Sequence, residues 1–188
     1  NYVNDEVTTN DTTQNSSLVN NDTNSSQPLL SAQGTTYGDF EVTVTSGSAR
    51  FSVSALYLEP GGTYEIEMAG GKETTSQAIV IQDIGNTNPT TVKLRDVTIQ
   101  GAADSAFLIP LNYTGDVYLE LYGNNTLKST GGCGIEKSTD ADHIDSAGEL
   151  RIGGNGSLLA QAGDGTSCAG IGGYKNTAGV NITIAAAP

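Results

Sequence analysis

The chain has 188 residues, with 24 glycines, 15% charged residues and a formal net charge of −13 at pH 7. This length suffices for one domain with a core, and the glycine-rich, weakly charged composition favours a turn-rich all-β protein. The acidic balance argues against nucleic acid and anionic membranes as partners, because both attract clustered lysine and arginine. No apolar run is long enough to predict membrane insertion.

Residues 1–35 are predicted to form a polar N-terminal arm, followed by one β domain over residues 36–188. The first 33 residues contain no glycine, lysine or arginine and are mostly asparagine, threonine, serine and aspartate. Such a segment cannot bury enough apolar surface to offset the entropy of ordering the chain, which favours a flexible linker. The pairs Leu18-Val19 and Leu29-Leu30 leave open an ordered arm that docks on the domain or on a partner.

Short alternating strands begin after Thr36, and the first of them, FEVTV, places Phe40, Val42 and Val44 on one face. An internal repeat follows. Its four apolar tetrads are AIVI (78–81), AFLI (106–109), CGIE (133–136) and AGIG (169–172). Each tetrad precedes a second strand, and these are TVKLRDV, DVYLELY, ELRIGG and VNITI. A third strand follows in three repeats, as TIQGA, TLKST and SLLAQ, and the turns YGNNTL and GGNGSL place Asn124 and Asn155 at equivalent positions.

Three short strands per repeat, without helices, predict a parallel β-helix (a β-solenoid) of about five coils, in which inward side chains stack on the next coil. A β-sandwich is the alternative. It would need antiparallel hairpins, and the chain lacks a regular series of two-residue hairpin turns.

The glycine-rich segment GTSCAGIGGYK, residues 165–175, matches neither phosphate-binding pattern and precedes a strand rather than a helix, so we interpret its glycines as coil corners. Aligning Ile135 with Ile171 places Cys133 opposite Ala169 and one position out of register with Cys168. Neighbouring coils bring Cα atoms within disulfide range, so we predict a Cys133–Cys168 disulfide with a corner or bulge that absorbs the offset. Such a bond would suit an oxidising, secreted setting.

The segments GIGG…NITI and LRIGGNGSLLAQAG, arranged in coils, resemble a family of secreted carbohydrate-binding-type proteins of Gram-positive, especially clostridial, bacteria. The resemblance covers about residues 78–185. It implies a right-handed parallel β-helix, a secreted or cell-surface location, a polysaccharide ligand and, in some members, bound calcium.

The strand DVYLELYG turns Val117, Leu119 and Leu121 inward and three side chains outward. Aligned repeats predict two columns on this outer face, Lys93–Tyr118–Glu149 and Arg95–Glu120–Arg151. They form either a ladder of charge pairs or a flat glycan platform in which tyrosines stack on sugars. The predicted ligand-binding residues are Lys93, Arg95, Tyr118, Glu120, Tyr122 and Arg151, and Tyr57 and Tyr174 would extend the aromatic surface.

The acidic segment STDADHIDSAGE, residues 138–149, lies between the first and second strands of its repeat. Calcium takes six to eight oxygen ligands, and the candidate ligands are Asp140, Asp142, Asp145 and Glu149. The alternative is a solvated acidic loop, with His143 exposed. No cofactor other than calcium is expected.

We expect a non-catalytic secreted or cell-surface module that binds polysaccharide, because the motifs of β-helical pectinases are missing and one histidine supports no catalytic triad. A lyase remains a minor alternative, since Arg151 lies near the acidic segment. A structural or adhesive subunit is the alternative of another class, with homo-assembly through the N-terminal arm and the open edge after VNITI.

Overall fold

The computed structural model describes residues 34–185, so the predicted arm lies outside the described residues except for Gly34 and Thr35. Residues 34–185 form sixteen β-strands and a single-turn 3₁₀ helix, Ile144–Ser146, and contain no α-helix. The first eight strands are β1 (Thr35–Tyr37), β2 (Phe40–Ser46), β3 (Ala49–Ser52), β4 (Ala55–Leu58), β5 (Thr63–Met68), β6 (Ala78–Ile81), β7 (Thr90–Arg95) and β8 (Thr98–Ala102). The others are β9 (Phe107–Ile109), β10 (Val117–Tyr122), β11 (Asn124–Ser129), β12 (Ile135–Lys137), β13 (Leu150–Gly154), β14 (Ser157–Gln161), β15 (Ile171–Gly172) and β16 (Ile182–Ile184).

These strands form three sheets, which the chain visits in a fixed order. Sheet A has the order β1-β2-β5-β7-β10-β13-β16, sheet B the order β15-β12-β9-β6-β4-β3, and sheet C the order β14-β11-β8. From β6 to β14 the chain passes three times from sheet B to sheet A to sheet C. Strands of successive passages pair in parallel, whereas β1, β2 and β3 pair antiparallel with their neighbours. The prediction of an all-β protein is confirmed, and its sheets are mainly parallel.

The register within sheet B confirms the repeat and corrects its third and fourth tetrads. Ile79 pairs with Phe107, Phe107 with Ile135, and Ile135 with Ile171. The third and fourth tetrads therefore begin at Gly134 and Gly170, each one residue later than the aligned letters indicated.

Close packing explains the glycine at this position. A Cβ on Gly134 would lie 2.6 Å from the backbone nitrogen of Gln161 and 2.7 Å from the carbonyl oxygen of Gly170. Earlier repeats have Ala78 and Ala106 in the corresponding place. Because glycine replaces alanine here, the aligned letters placed Cys133 at this position, one residue too early.

Alternating burial follows directly from the two-residue period of a strand. In β10, Val117, Leu119 and Leu121 are buried and the residues between them are half-exposed, as predicted. In β2 the same alternation holds for Phe40 and Val42, which are buried. The fully buried aliphatic and aromatic side chains include Phe40, Leu56, Leu58, Tyr64, Ile66, Ile79, Ile81, Leu94, Ile99, Phe107 and Ile109.

One lysine lies in this apolar interior. Lys137 is 1% exposed and occupies the inward position that Ile109 holds on the neighbouring strand. Within residues 34–185 its Nζ atom has no hydrogen-bond partner. Burial lowers the pKa of Lys137, and the charge of Asp116 partly opposes this effect.

The turn between sheets A and C depends on Asn125. Its Oδ1 accepts the Val97 N–H at 3.0 Å, and its Nδ2 donates to the Tyr122 carbonyl at 3.0 Å and to the Ser157 carbonyl at 3.3 Å. This buried amide therefore satisfies backbone groups of three successive passages of the chain.

The predicted equivalence of Asn124 and Asn155 is wrong. Asn124 pairs with Ser157, because β10 and β13 are offset by two residues from the alignment based on the turn motifs. The left-handed backbone at these turns belongs to Gly123, with φ 65°, and Gly154, with φ 102°.

Among the described residues, none belongs to a helix of the length and apolarity that crossing a membrane requires.

Candidate functional site

The six predicted ligand-binding residues all lie on the outer face of sheet A, but the predicted columns are wrong. Lys93 pairs with Glu120, and Arg95 pairs with Tyr122. Arg151 pairs with Tyr118. The alignment was displaced by two residues, and a displacement of two leaves every side chain on the same face of a strand. The face of the sheet was therefore predicted correctly and the neighbours were not.

Contacts within the protein occupy much of this outer face. The guanidinium carbon of Arg95 lies 5.0 Å from the Tyr122 ring centroid, and that of Arg151 lies 5.9 Å from the Tyr118 ring centroid. The Tyr122 hydroxyl donates to Glu120 at 3.1 Å. Both tyrosine rings therefore have a cation over one face, as a ladder of cross-strand pairs requires.

The charges of sheet A are also paired. Arg95 Nη2 lies 2.7 Å from Glu65 Oε1, and this hydrogen bond raises the pKa of Arg95. Lys93 Nζ lies 3.8 Å from Glu120 Oε2. Because these cations already have carboxylate partners, few donors on this face remain free for a ligand.

A groove that the sequence analysis did not identify runs across the outside of sheet B. We call it the sheet B groove. One section has a volume of about 310 Å³ and the adjoining section about 330 Å³. Both sections share Asp104, Ser105 and Leu108, so they are continuous.

The floor of the sheet B groove is one column of outward side chains on successive parallel strands. Tyr57 pairs with Val80, Val80 with Leu108, and Leu108 with Glu136. With strands about 4.8 Å apart, this column spans about 14 Å. Tyr174 lines the groove beyond Glu136 and is 40% exposed. The groove therefore has an apolar centre, a tyrosine at each end and a carboxylate near one end. At the other end the guanidinium carbon of Arg50 lies 4.2 Å from the Tyr57 ring centroid, so Tyr174 is the ring without such a contact.

A hydrogen-bond network fixes the carboxylate of Glu136. The Ser105 hydroxyl donates to its Oε2 at 2.6 Å, and the Ser138 hydroxyl donates to its Oε1 at 3.0 Å. Ser105 Oγ in turn accepts the Cys133 N–H at 2.9 Å, and Ser138 Oγ accepts the Tyr174 N–H at 2.9 Å. Three successive passages of the chain hold the carboxylate in place, so its orientation is set before any ligand arrives.

The one-residue error in the third tetrad explains why this groove was missed. With the tetrad starting at Cys133, Glu136 aligns with Ile109, which faces the interior. With the register of the structure, Glu136 aligns with Leu108 and Val80, which face outward. A signal was present in the sequence, since Ile135 and Phe107 are the bulky residues that must face inward.

The four predicted calcium ligands are not brought together. They lie in or beside the loop between β12 and β13, as expected, and they are Asp140, Asp142, Asp145 and Glu149. Over residues 34–185, no group of three or more histidine, cysteine, aspartate or glutamate side chains has an arrangement that could hold a metal ion. Calcium binding stays a prediction that the geometry does not support.

The partners of two of these carboxylates are within the protein. Asp140 accepts from the His143 ring at 2.6 Å and from the Asn112 amide at 2.9 Å, and these bonds lower the pKa of Asp140. Glu149 accepts from Arg151 at 3.0 Å. Hydrogen bonds from Thr183 and then Arg151 lower the pKa of Glu149. Both side chains stabilise the loop ends by contacts that a metal would have to displace.

The predicted disulfide is absent, and Cys133 and Cys168 are free thiols. Cys133 is fully buried with its Sγ 3.5 Å from the Gly173 carbonyl oxygen, whereas Cys168 is half-exposed. The Cys168 thiol acts on Cys133, so the two residues lie near each other on adjacent passages without a bond between their sulfurs. Burial, and after it the neighbouring Cys168 thiol, raises the pKa of Cys133 to about 12.

No known family model matches the chain, and comparisons with curated proteins and with solved structures find no match either. The conclusions about function therefore depend on the geometry of the two faces.

Proposed function

We propose that this protein is a non-catalytic module that binds polysaccharide at the outside of a cell and is built as a right-handed parallel β-helix. The sheet B groove is the observation that carries the proposal. It is open and elongated, it has an exposed tyrosine, and it presents a carboxylate in a fixed orientation. Sugar rings stack on aromatic side chains, and their hydroxyls donate to carboxylates, so this combination suits a glycan chain.

The topology supports the β-helix. Each passage through sheets B, A and C adds one strand to each sheet in parallel register with the previous passage. Crossovers between parallel strands of one sheet are right-handed in nearly all proteins. Five passages, beginning at β4 and ending at β16, would give about five coils with the antiparallel β1, β2 and β3 at one end.

Retention on a panel of insoluble glycans tests the proposal. We expect the protein to bind at least one glycan, and Tyr174→Ala to weaken that binding because it removes the exposed ring of the groove. The matched variants Tyr118→Ala and Tyr122→Ala report on the outer face of sheet A, and we expect them to bind like the wild type. Loss of binding in these two variants alone would move the site to sheet A, and no retention on any glycan would contradict the proposal. The absence of new reducing ends in the bound glycan would agree with a non-catalytic role.

A second candidate function is a structural or adhesive subunit, and the end formed by the last strands favours it. A hollow of about 360 Å³ opens there between Leu121, Ile152, Leu158, Ile171 and Ile184. Within the part of the chain that the structure describes, β14, β15 and β16 have no strand partner on their outer sides. An open apolar edge of this kind favours pairing with another chain.

Size-exclusion chromatography of the full chain and of a variant lacking residues 1–33 separates the two candidates. Assembly that disappears with the arm would support the structural subunit. A monomer in both cases would argue against it and would leave the glycan-binding proposal unaffected.

A further inference from the structure

The sheet B groove carries two carboxylates at its Tyr174 end, whereas the nearest cation of its column, Arg50, lies over the Tyr57 ring at the other end. Asp104 and Glu136 line it, and among its described lining residues there is no lysine or arginine. On sheet A, by contrast, Glu65 and Glu120 each have a cation within 4 Å. The two carboxylates of the groove therefore lack the cation partners that Glu65 and Glu120 have.

The hydrogen-bond partners of Glu136 are neutral. Both of its oxygens accept hydrogen bonds from serine hydroxyls, which orient the carboxylate without neutralising it. The next residue, Lys137, points into the interior, where its ammonium group is buried and turned away from the groove. A fixed carboxylate with no cation beside it attracts a cationic group from solution.

The exposed ring at the end of the groove fits the same chemistry. Tyr174 lines the section that contains Asp104 and Glu136. An aromatic face attracts an ammonium group and also stacks on a sugar ring. The net charge of −13 adds a long-range attraction for cations and a repulsion for anionic glycans.

On these grounds we propose that the sheet B groove prefers glycans with free amino groups, such as deacetylated glucosamine oligomers, over neutral and anionic ones. This inference rests on the proposed function, since it names the class of polysaccharide that the same groove takes. The ammonium groups would lie beside Glu136 and Asp104, and the sugar rings would lie over Leu108 and Tyr174.

Calorimetric titration with three tetrasaccharides tests the inference: a glucosamine tetramer, its N-acetylated counterpart and a cellulose tetramer. At mildly acidic pH and low salt we expect the glucosamine tetramer to bind roughly threefold to tenfold more tightly than the other two, as one or two exposed charge pairs allow. Raising the ionic strength from 0.01 M to 1 M shortens the Debye length from about 30 Å to about 3 Å, so the preference should shrink to nearly nothing.

Two variants and a matched control assign the preference to the groove. Glu136→Gln should bind all three tetrasaccharides with nearly equal affinity, and Asp104→Asn gives the same test at an exposed position where folding is not at risk. Glu73→Gln, an exposed change in the separate hollow beside Arg95, should keep the wild-type preference.

The outcomes separate the inference from the proposed function. Equal or tighter binding of the neutral tetrasaccharides by the wild type, or an unchanged preference in both groove variants, would overturn the amino-sugar inference while glycan binding stands. If none of the three tetrasaccharides and no glycan of the insoluble panel binds, the proposed function itself fails.

Discussion

Replacement of Lys137 by methionine tests how the interior is built. The lysine side chain is 1% exposed, and its Nζ has no hydrogen-bond partner within residues 34–185. Asp116 is the charged group that acts on it. Methionine has a similar length and flexibility, so Lys137→Met removes the buried amine while filling nearly the same space.

The expected effect is an increase in the free energy of unfolding. A buried polar group without a partner costs about 1–3 kcal/mol, and the variant avoids this cost. For a domain of this size each kcal/mol raises Tm by roughly 2–4 °C. Lys137→Met should therefore melt several degrees above the wild type at neutral pH, which is unusual because most core substitutions destabilise.

The pH dependence has a definite sign. Burial lowers the pKa of Lys137 in the folded protein, so between that pKa and the unfolded value the unfolded chain binds more protons. The free energy of unfolding of the wild type must therefore rise with pH in this window relative to that of Lys137→Met. The difference in free energy of unfolding between the two proteins must become smaller. Burial raises the pKa of Tyr64 to about 12 and also raises that of Tyr113, but both proteins share these tyrosines and their contribution cancels.

Urea denaturation of both proteins from neutral pH to about pH 10 measures this gap. Lys128→Met is the matched control, because Lys128 lies half-exposed on sheet C and its replacement should change stability by less than about 0.5 kcal/mol. If Lys137→Met is less stable than the wild type at neutral pH, or if the gap does not change with pH, the lysine is paired in a way that the structure does not show and the reasoning fails.

Three further predictions concern the passages between sheets. Asn125→Ala should lower the free energy of unfolding by about 2–3 kcal/mol, because it leaves buried backbone groups without partners. In the same urea experiment the control Asn155→Ala, at an exposed position, should change the free energy of unfolding little. Equal effects of the two substitutions would contradict the role of Asn125 in the turn. Gly134→Ala should cost about 1–3 kcal/mol because its Cβ would contact backbone atoms, whereas Gly70→Ala has open space around it and should be neutral, as thermal melting can check. Cys133 should resist alkylation at neutral pH until the protein unfolds, because burial raises its pKa to about 12; rapid labelling of this thiol in the native protein, followed by mass spectrometry, would argue against its burial.

The repeat could be predicted from the sequence because it depends on side-chain volume at a regular spacing. Ile79, Phe107 and Ile135 recur where the interior requires bulk, and parallel pairing of these strands follows from that recurrence. The same regularity made small errors of register easy, since glycine carries no apolar signal. At Gly134 this caused an error of one residue. On sheet A the aligned letters were two residues off, both between β7 and β10 and between β10 and β13.

The consequences of those two errors were unequal for a physical reason. A displacement of two residues on sheet A kept Tyr118 and Glu120 on the outer face and changed only their neighbours. A displacement of one residue on sheet B exchanged the faces of Glu136 and Lys137, so the carboxylate of the groove was hidden and the buried lysine was not foreseen. Side-chain contacts such as the Ser105–Glu136 hydrogen bond join residues of different passages, and no local pattern in the sequence reports them.

The two faces differ in how charged residues are placed along the columns of outward side chains. On sheet A, acidic and basic residues alternate in the column Glu65, Lys93, Glu120, so these charges have neighbours of opposite sign, whereas Glu41 lies beside Glu67 in the next column. On sheet B the corresponding column is Arg50, Tyr57, Val80, Leu108 and Glu136, so its two charges lie at opposite ends and Glu136 has no cation on a neighbouring strand. A face that satisfies its own charges gains stability from them and has few groups left for a ligand. In the sheet B groove the fixed carboxylate of Glu136 has no cation partner and the Tyr174 ring is exposed, so a ligand can form new interactions with both. For this reason we expect a ligand to bind in the sheet B groove rather than on the predicted platform.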